Sequence, residues 1–334
     1  MKIILFDVEQ NESELFQQML SENIEVECIS EPLSPDNIEL AANSDIVSVF
    51  VTSKITAEML KKLSSTKLII CRSTGYDNID TEAAKRAGIA VSNVPNYGEH
   101  TVAEYTFALL LSLSRKLQDA TVQVGQGQID HTKLVGNDLA GSTLGVIGAG
   151  KIGQRVIKIA RGFEMNVVAY DPFPKPEVAK ALGFEYVEID ELFAKSDVIT
   201  LHVPGGKDNK QIIDSNALAK FKKGAVLINT ARGDLVDNVA LINALQNGKL
   251  AGAGLDVLDG EAMIDIDHEM ALLAKSKAKD LRLSAELDIL EKMTNVILSP
   301  HNAYNTHQAL QRIRKSTVET VIEFTKGKVT NQVN

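Results

Sequence analysis

The run Leu144-Gly145-Val146-Ile147-Gly148-Ala149-Gly150-Lys151-Ile152-Gly153 constrains the fold more than any other stretch of this chain. An apolar segment leads into G-x-G-x-x-G, and apolar residues then recur at helical spacing (Ile152, Val156, Ile159, Ala160). A second apolar run, Val167 to Tyr170, ends in Asp171. Glycines also mark ordinary turns. The strand before, the helix after and the acid at the right distance instead indicate a βαβ unit that binds an adenine dinucleotide. Gly148 permits the tight turn, Gly150 lets backbone approach the pyrophosphate, and Gly153 lets the helix lie close on its strand. Lys151 and Ile152 open the helix, whose N-terminus offers free N–H groups and a positive dipole end to phosphate. Asp171 suits a ribose diol and repels a 2′-phosphate, so the expected cofactor is NAD over NADP.

A chain of 334 residues predicts about two domains. The net charge of −9 leaves no basic patch for nucleic acid. Cys28 and Cys71 are too few for a disulfide framework or a zinc site and fit a reducing, cytoplasmic setting. Met1 to Asp7 reads as a strand and lacks the basic start of a secretory signal. The longest strongly apolar stretch, Val102 to Leu113, is too short to cross a bilayer, so no membrane partner is expected.

The first hundred residues alternate apolar runs (Ile3–Phe6, Val26–Ile29, Ile46–Val51, Leu68–Cys71, Ile89–Val91) with helical patterns (Glu14–Leu20, Ala57–Leu63, Thr81–Ala87). Such alternation implies a parallel sheet covered on both faces. A turn-rich break at 93–98 precedes a long apolar helix from about His100 to Leu117. Six further strands follow, at Leu144–Ile147, Val167–Tyr170, Val198–Leu201, Val226–Ile228, Gly252–Leu255 and Val296–Leu298. A last amphipathic helix, Thr306 to Thr325, is expected to pack back on the first domain. The reading is therefore α/β, with two doubly wound parallel-sheet domains and a cleft between them. Residues 1–99 and 302–334 form a flavodoxin-like substrate domain, and 100–301, including the linking helix 100–117, form a Rossmann NAD-binding domain.

Three segments carry further chemistry. Arg232, in Asn229-Thr230-Ala231-Arg232-Gly233, sits at the carboxyl end of a strand, where open α/β sheets place ligands, and offers a rigid fork of donors to a carboxylate or carbonyl. Gly254-Leu255-Asp256-Val257 ends another strand, with Glu261 close behind. Ser299-Pro300-His301-Asn302-Ala303 follows the last strand. Glu261 and His301 suit a carboxylate–imidazole pair in which the histidine is a general acid. Asp265, Asp267, His268 and Glu269 match no calcium loop or zinc site, so no metal is expected.

Taken in order, Gly-Ala-Gly-Lys-Ile-Gly (148–153), Leu-His-Val-Pro (201–204), Asn-Thr-Ala-Arg-Gly (229–233), Gly-Leu-Asp-Val (254–257) and Ser-Pro-His-Asn-Ala (299–303) resemble the D-isomer-specific 2-hydroxyacid dehydrogenase family. Ser73 to Asp80 and Val94-Pro95-Asn96-Tyr97 match its substrate-loop segments. The resemblance implies that Arg232 binds the substrate carboxylate and polarises the keto group, that His301 protonates the keto oxygen and that Glu261 tunes His301. It also implies that the N–H groups of Thr74 and Gly75 hold the carboxylate. Lys151, Ile152, Asp171, Val203, Pro204, Asn209, Thr230, Ala231 and Asp256 would line the cofactor site.

Tyr97, the run His301 to Thr306 and the long charged interval after Glu261 are most similar to NAD-dependent D-lactate dehydrogenases. Asn302 and Tyr76 depart from the usual pattern near the pocket. Tyr97 and Tyr304 are expected to narrow that pocket, favouring a small 2-oxo acid or D-2-hydroxy acid such as pyruvate or D-lactate. The alternatives are a larger 2-oxo acid or, in a different class, an NAD-sensing, corepressor-like protein on the same fold. The helix at 100–117 is apolar all round, which predicts a homodimer packed through it.

Overall fold

The computed structural model describes residues 1–20, 23–206, 208–258 and 278–334. The chain divides into two compact units, one made of Met1–Tyr97 and Asn305–Asn334, the other of Gly98–Tyr304.

In the first unit the strands β1 (Lys2–Leu5), β2 (Glu25–Cys28), β3 (Ile46–Val49), β4 (Leu68–Cys71) and β5 (Ala90–Asn93) form a parallel sheet in the order β2-β1-β3-β4-β5. Their apolar runs are continuous because both faces are covered. On one face Ile4, Val47, Ile69 and Val91 pack with Leu33, Ile55, Leu60 and Ala84. On the other, Ile3, Leu5, Ile46, Leu68 and Ile70 pack with Phe16 of the helix Gln10–Met19 and with Val318 and Val321 of the helix His307–Thr325. That last helix does pack on the first unit's sheet, capped by the Thr306 hydroxyl on the Ala309 N–H. The following segment runs beside β5: the Asn93 N–H donates to the Asn331 carbonyl at 3.1 Å and the Val333 N–H to the Val91 carbonyl at 2.9 Å.

The second unit contains β6 (Thr143–Ile147), β7 (Asn166–Tyr170), β8 (Glu185–Tyr186), β9 (Val198–Leu201), β10 (Ala225–Asn229), β11 (Leu250–Leu255) and β12 (Val296–Leu298). They pair in parallel in the order β12-β11-β10-β9-β6-β7-β8. The strand order reverses between β9 and β6, so the glycine loop after β6 opens at the topological switch point, where such sheets bind ligands. Among the described residues there are seven strands where the sequence predicts six: β8 has only two residues and pairs with Val168 and Ala169.

The long helix also differs from expectation. It covers Glu99–Ser114, and the chain turns at Lys116 (φ 49°) into a separate helix, Leu117–Gly125. Phe107, Leu109 and Leu110 are buried in the sheet's core. Gly254 on β11 lets the helix lie close, since a Cβ there would come within 3.0 Å of the Leu109 Cβ. Much of this helix's apolar surface is therefore covered by its own chain.

Candidate active site

The phosphate loop is built as its glycines predict. Gly148 follows β6 with φ 96°, and a Cβ there would lie 2.6 Å from the His202 carbonyl oxygen. Gly153, one turn into the helix Lys151–Gly162, is pressed so close to the Gly148 carbonyl that a Cβ would collide with it. Gly150 is open: a Cβ there would meet no atom within 4 Å, so the helix N-terminus has room for a phosphate. Asp171 ends β7 against this loop. Its Oδ2 accepts the Ala149 N–H and its Oδ1 the Phe173 N–H, both at 2.9 Å. Each oxygen keeps a second lone pair, so the acid braces the loop and can still accept ribose hydroxyls. These residues fit a dinucleotide.

Around the loop, the Lys151 Nζ lies 3.6 Å from Glu99 and Ile152 packs at the edge of the core. Val203 and Pro204 follow β9, and the Asn209 side chain donates to the Pro204 carbonyl at 3.0 Å, fixing that turn. The Thr230 hydroxyl lies buried against the Thr106 hydroxyl at 3.0 Å, and the Ala231 N–H donates to Asn229 Oδ1 at 3.0 Å. His202 shares a hydrogen bond with the Thr200 hydroxyl at 2.9 Å, and burial pushes its imidazole down to about 3. It is therefore neutral at physiological pH and unsuited to donating a proton.

The carboxyl ends of β10, β11 and β12 carry the polar groups expected to do chemistry. Asn229, Leu255 and Leu298 stand side by side in the ladder. Arg232 lies three residues beyond the first, in a turn closed by the Asn229 amide on the Arg232 carbonyl at 2.8 Å, with its Nη1 on the Ala231 carbonyl at 2.7 Å. Asp256 follows the second strand and is buried. Its carboxylate accepts the Ser299 hydroxyl at 2.6 Å and the N–H groups of Asn302 and Ala303 at 2.8 Å each. Its own carbonyl accepts the His301 N–H at 2.9 Å. Burial raises the Asp256 carboxyl above its ordinary value, against the pull of these donors. His301 takes φ 49°, and its ring meets the Tyr304 ring edge-on at 6.4 Å.

In the first unit, Thr74 and Gly75 follow β4. The Thr74 hydroxyl donates to the Val94 carbonyl at 3.2 Å, and the Asn93 side chain donates to the Thr74 carbonyl at 2.8 Å. Among the described residues, neither the Thr74 nor the Gly75 N–H donates to a protein acceptor. The Tyr97 carbonyl accepts from Arg312 Nε at 2.7 Å.

The structure thus brings Asp171 to the phosphate loop, and Arg232, Asp256 and His301 to neighbouring strand ends, with Tyr304 beside His301. Thr74, Gly75 and Tyr97 belong to the first unit. Glu261 and the acidic run 265–269 lie outside the described residues. Sequence reasoning missed Ser299 and Asn93. Ser299 is named only within the segment 299–303, and its hydroxyl two residues before the expected proton donor is the signal that points to its role. Among the described residues no cluster could hold a metal, and no helix is long and apolar enough to cross a membrane.

Comparison with known proteins agrees with this geometry. The family description "D-isomer specific 2-hydroxyacid dehydrogenase, NAD binding domain" matches residues 107–303. This chain belongs to the D-isomer-specific 2-hydroxyacid dehydrogenases. As a member of that family it is an NAD-dependent oxidoreductase of 2-hydroxy acids. Among its relatives, a D-lactate dehydrogenase of Curvularia clavata is 36% identical over 96% of this chain and 90% of its own. The structure of D-lactate dehydrogenase from Aquifex aeolicus, complexed with NAD and lactic acid, superposes with a TM-score of 0.88 at 36% identity, covering 97% of this chain and 96% of that one. D-2-hydroxyisocaproate dehydrogenase superposes with a TM-score of 0.83 at 35% identity, covering 100% and 99%.

Proposed function

We propose that this dehydrogenase reduces pyruvate to D-lactate. NADH, when bound, supplies the hydride. Arg232 anchors the substrate carboxylate and polarises the keto group. His301 gives its proton to the keto oxygen as charge develops there, with Glu261 as its carboxylate partner. The N–H groups of Thr74 and Gly75 serve the substrate carboxylate, and Tyr97 and Tyr304 are assigned to substrate binding as bulky side chains that favour a small acid. Lys151, Ile152, Asp171, Val203, Pro204, Asn209, Thr230, Ala231 and Asp256 serve the cofactor.

The observation that carries this reading is the grip of Asp256 on residues 299–303, which sets His301 one strand away from the Asp256 carbonyl that holds it and two from the strand bearing Arg232. The lactic acid in the Aquifex aeolicus neighbour supports a small acid. Steady-state assay across pyruvate, 2-oxobutyrate, phenylpyruvate, glyoxylate, hydroxypyruvate and oxaloacetate tests it, with the highest kcat/KM expected for pyruvate. His301→Ala should lower kcat by about 10²–10⁴-fold while NADH binding survives, and Arg232→Ala should likewise collapse turnover. Preference for phenylpyruvate would replace pyruvate with a bulkier acid. Tight NADH binding with no turnover of any acid would favour an NAD-sensing role.

We further propose that the enzyme is a homodimer in the cytoplasm. Leu117, Val122 and Val124 of the helix Leu117–Gly125, with Ile129 and Val135 beyond it, are all exposed, and that helix has no buried residue. A run of apolar side chains this dense suits a second copy of the chain. The two cysteines are both free, as suits a reducing compartment.

A further inference from the structure

The two peptide groups proposed to hold the substrate carboxylate are each fixed from behind. In a trans peptide the C=O and N–H point in opposite directions, so whatever holds the carbonyl also aims the N–H. The Ser73 carbonyl, which shares a peptide with the Thr74 N–H, accepts the Val94 N–H at 3.0 Å. The Thr74 carbonyl, which shares a peptide with the Gly75 N–H, accepts the Asn93 side-chain amide at 2.8 Å. Both donors come from the end of β5. Each N–H is therefore turned away from the donor that holds its own peptide's carbonyl, and neither is spent on a protein acceptor among the described residues. Two adjacent N–H groups held in that manner suit one carboxylate or oxyanion.

The first restraint is backbone and independent of side chain, whereas the second, among the described residues, reaches the Thr74 carbonyl from the Asn93 side chain; the flanking groups are held by the Ser73 hydroxyl on the Gly75 carbonyl and the Thr74 hydroxyl on the Val94 carbonyl. Asn93 is itself braced: its N–H donates to the Asn331 carbonyl at 3.1 Å, and beside it the Ser92 hydroxyl donates to the Thr330 carbonyl at 2.7 Å. The amide that reaches Thr74 thus projects from backbone secured on both sides.

We propose that Asn93 is a positioning residue for the carboxylate of the 2-oxo acid, acting through the Thr74–Gly75 peptide. This rests on the reading that Thr74 and Gly75 bind that carboxylate. Asn93→Ala removes the donor that holds the Thr74 carbonyl and loosens the aim of the Gly75 N–H, and Asn93→Asp replaces the donor with an acceptor facing that carbonyl. In the full-length enzyme, KM for pyruvate should rise about tenfold in Asn93→Ala, the loss of one well-placed hydrogen bond, and further in Asn93→Asp. NADH affinity by fluorescence titration and kcat at saturating pyruvate should stay within about twofold, a split that general loosening of the fold would not give. Unchanged KM in both variants overturns the role of Asn93 and leaves pyruvate reduction standing. A parallel loss of NADH affinity and of pyruvate KM overturns it in favour of a structural asparagine. Wild-type enzyme that turns over no 2-oxo acid overturns both this proposal and the function on which it rests.

Discussion

His301 and Asp256 are joined through the backbone, the His301 N–H donating to the Asp256 carbonyl at 2.9 Å while the Asp256 carboxylate takes the next two N–H groups along the chain. Left-handed backbone such as the φ of 49° at His301 is uncommon outside glycine, though histidine tolerates it better than most residues, and these hydrogen bonds hold it there. The acid that ends β11 therefore dictates where the imidazole stands.

Removing that acid should act on geometry. Asp256→Ala leaves the buried N–H of Ala303 and that of Asn302 without their acceptor, a cost of about 2–4 kcal/mol in stability. Loss of the anchor should also lower kcat about 100-fold, the scale expected when a reacting group moves by about 1 Å. Urea denaturation and steady-state kinetics measure the two effects, and normal turnover would show that the loop holds its shape unaided.

The half-buried His202, whose imidazole loses solvation on folding, makes stability depend on pH. The folded protein keeps it neutral down to about 3, whereas in the unfolded chain it takes up a proton near its ordinary value of 6.5. Protons therefore bind the unfolded state preferentially between those limits, and this site's contribution, intact above pH 6.5, is lost as pH falls. His202→Gln removes that term. The variant should lose less stability than wild type between pH 7.5 and pH 4.5, and parallel pH profiles of unfolding free energy would contradict this.

Asp171→Ala should weaken NADH binding about 10- to 100-fold, because charge-assisted hydrogen bonds are worth about 1.5–3 kcal/mol each. NADPH should lose less, since the repulsion of its 2′-phosphate disappears with the carboxylate. Titration with both cofactors gives the ratio, and an unchanged ratio would remove Asp171 from cofactor choice.

Sedimentation at micromolar concentration should give a dimer. Val124→Asp, on the exposed side of the helix Leu117–Gly125, should shift it toward monomer. A monodisperse wild-type monomer would discard the dimer.

The parts of the fold legible in the sequence are those in which apolar residues run together. Leu68–Cys71, Val198–Leu201 and Val296–Leu298 are strands over the residues that their apolar runs predict. Glu185–Tyr186 escaped notice because a two-residue edge strand with an exposed glutamate has no pattern to read, and only its pairing with β7 makes it a strand. The helix break at Lys116 escaped for a different reason: neither glycine nor proline marks it, and the left-handed turn is imposed by the surrounding fold. The site divides in the same way. Glycines 148, 150 and 153 and the turn at 229–233 carry their meaning in contiguous residues. The hold of Asp256 on Asn302 and Ala303, and of Asn93 on Thr74, joins residues 46, 47 and 19 positions apart, and such contacts leave no local signature.

Asp171 is a strut of the loop after β6, so under its proposed role in choosing the cofactor, preference and loop integrity cannot be engineered separately at this position. A designer who installs a small or basic side chain to admit a 2′-phosphate also strips Ala149 of its acceptor, so the first substitution alone yields an enzyme poor with either coenzyme. A second change, supplying a new acceptor for that N–H, has to accompany it. The same coupling would obstruct an evolving lineage, for which every single-step route to the other coenzyme begins with a loss.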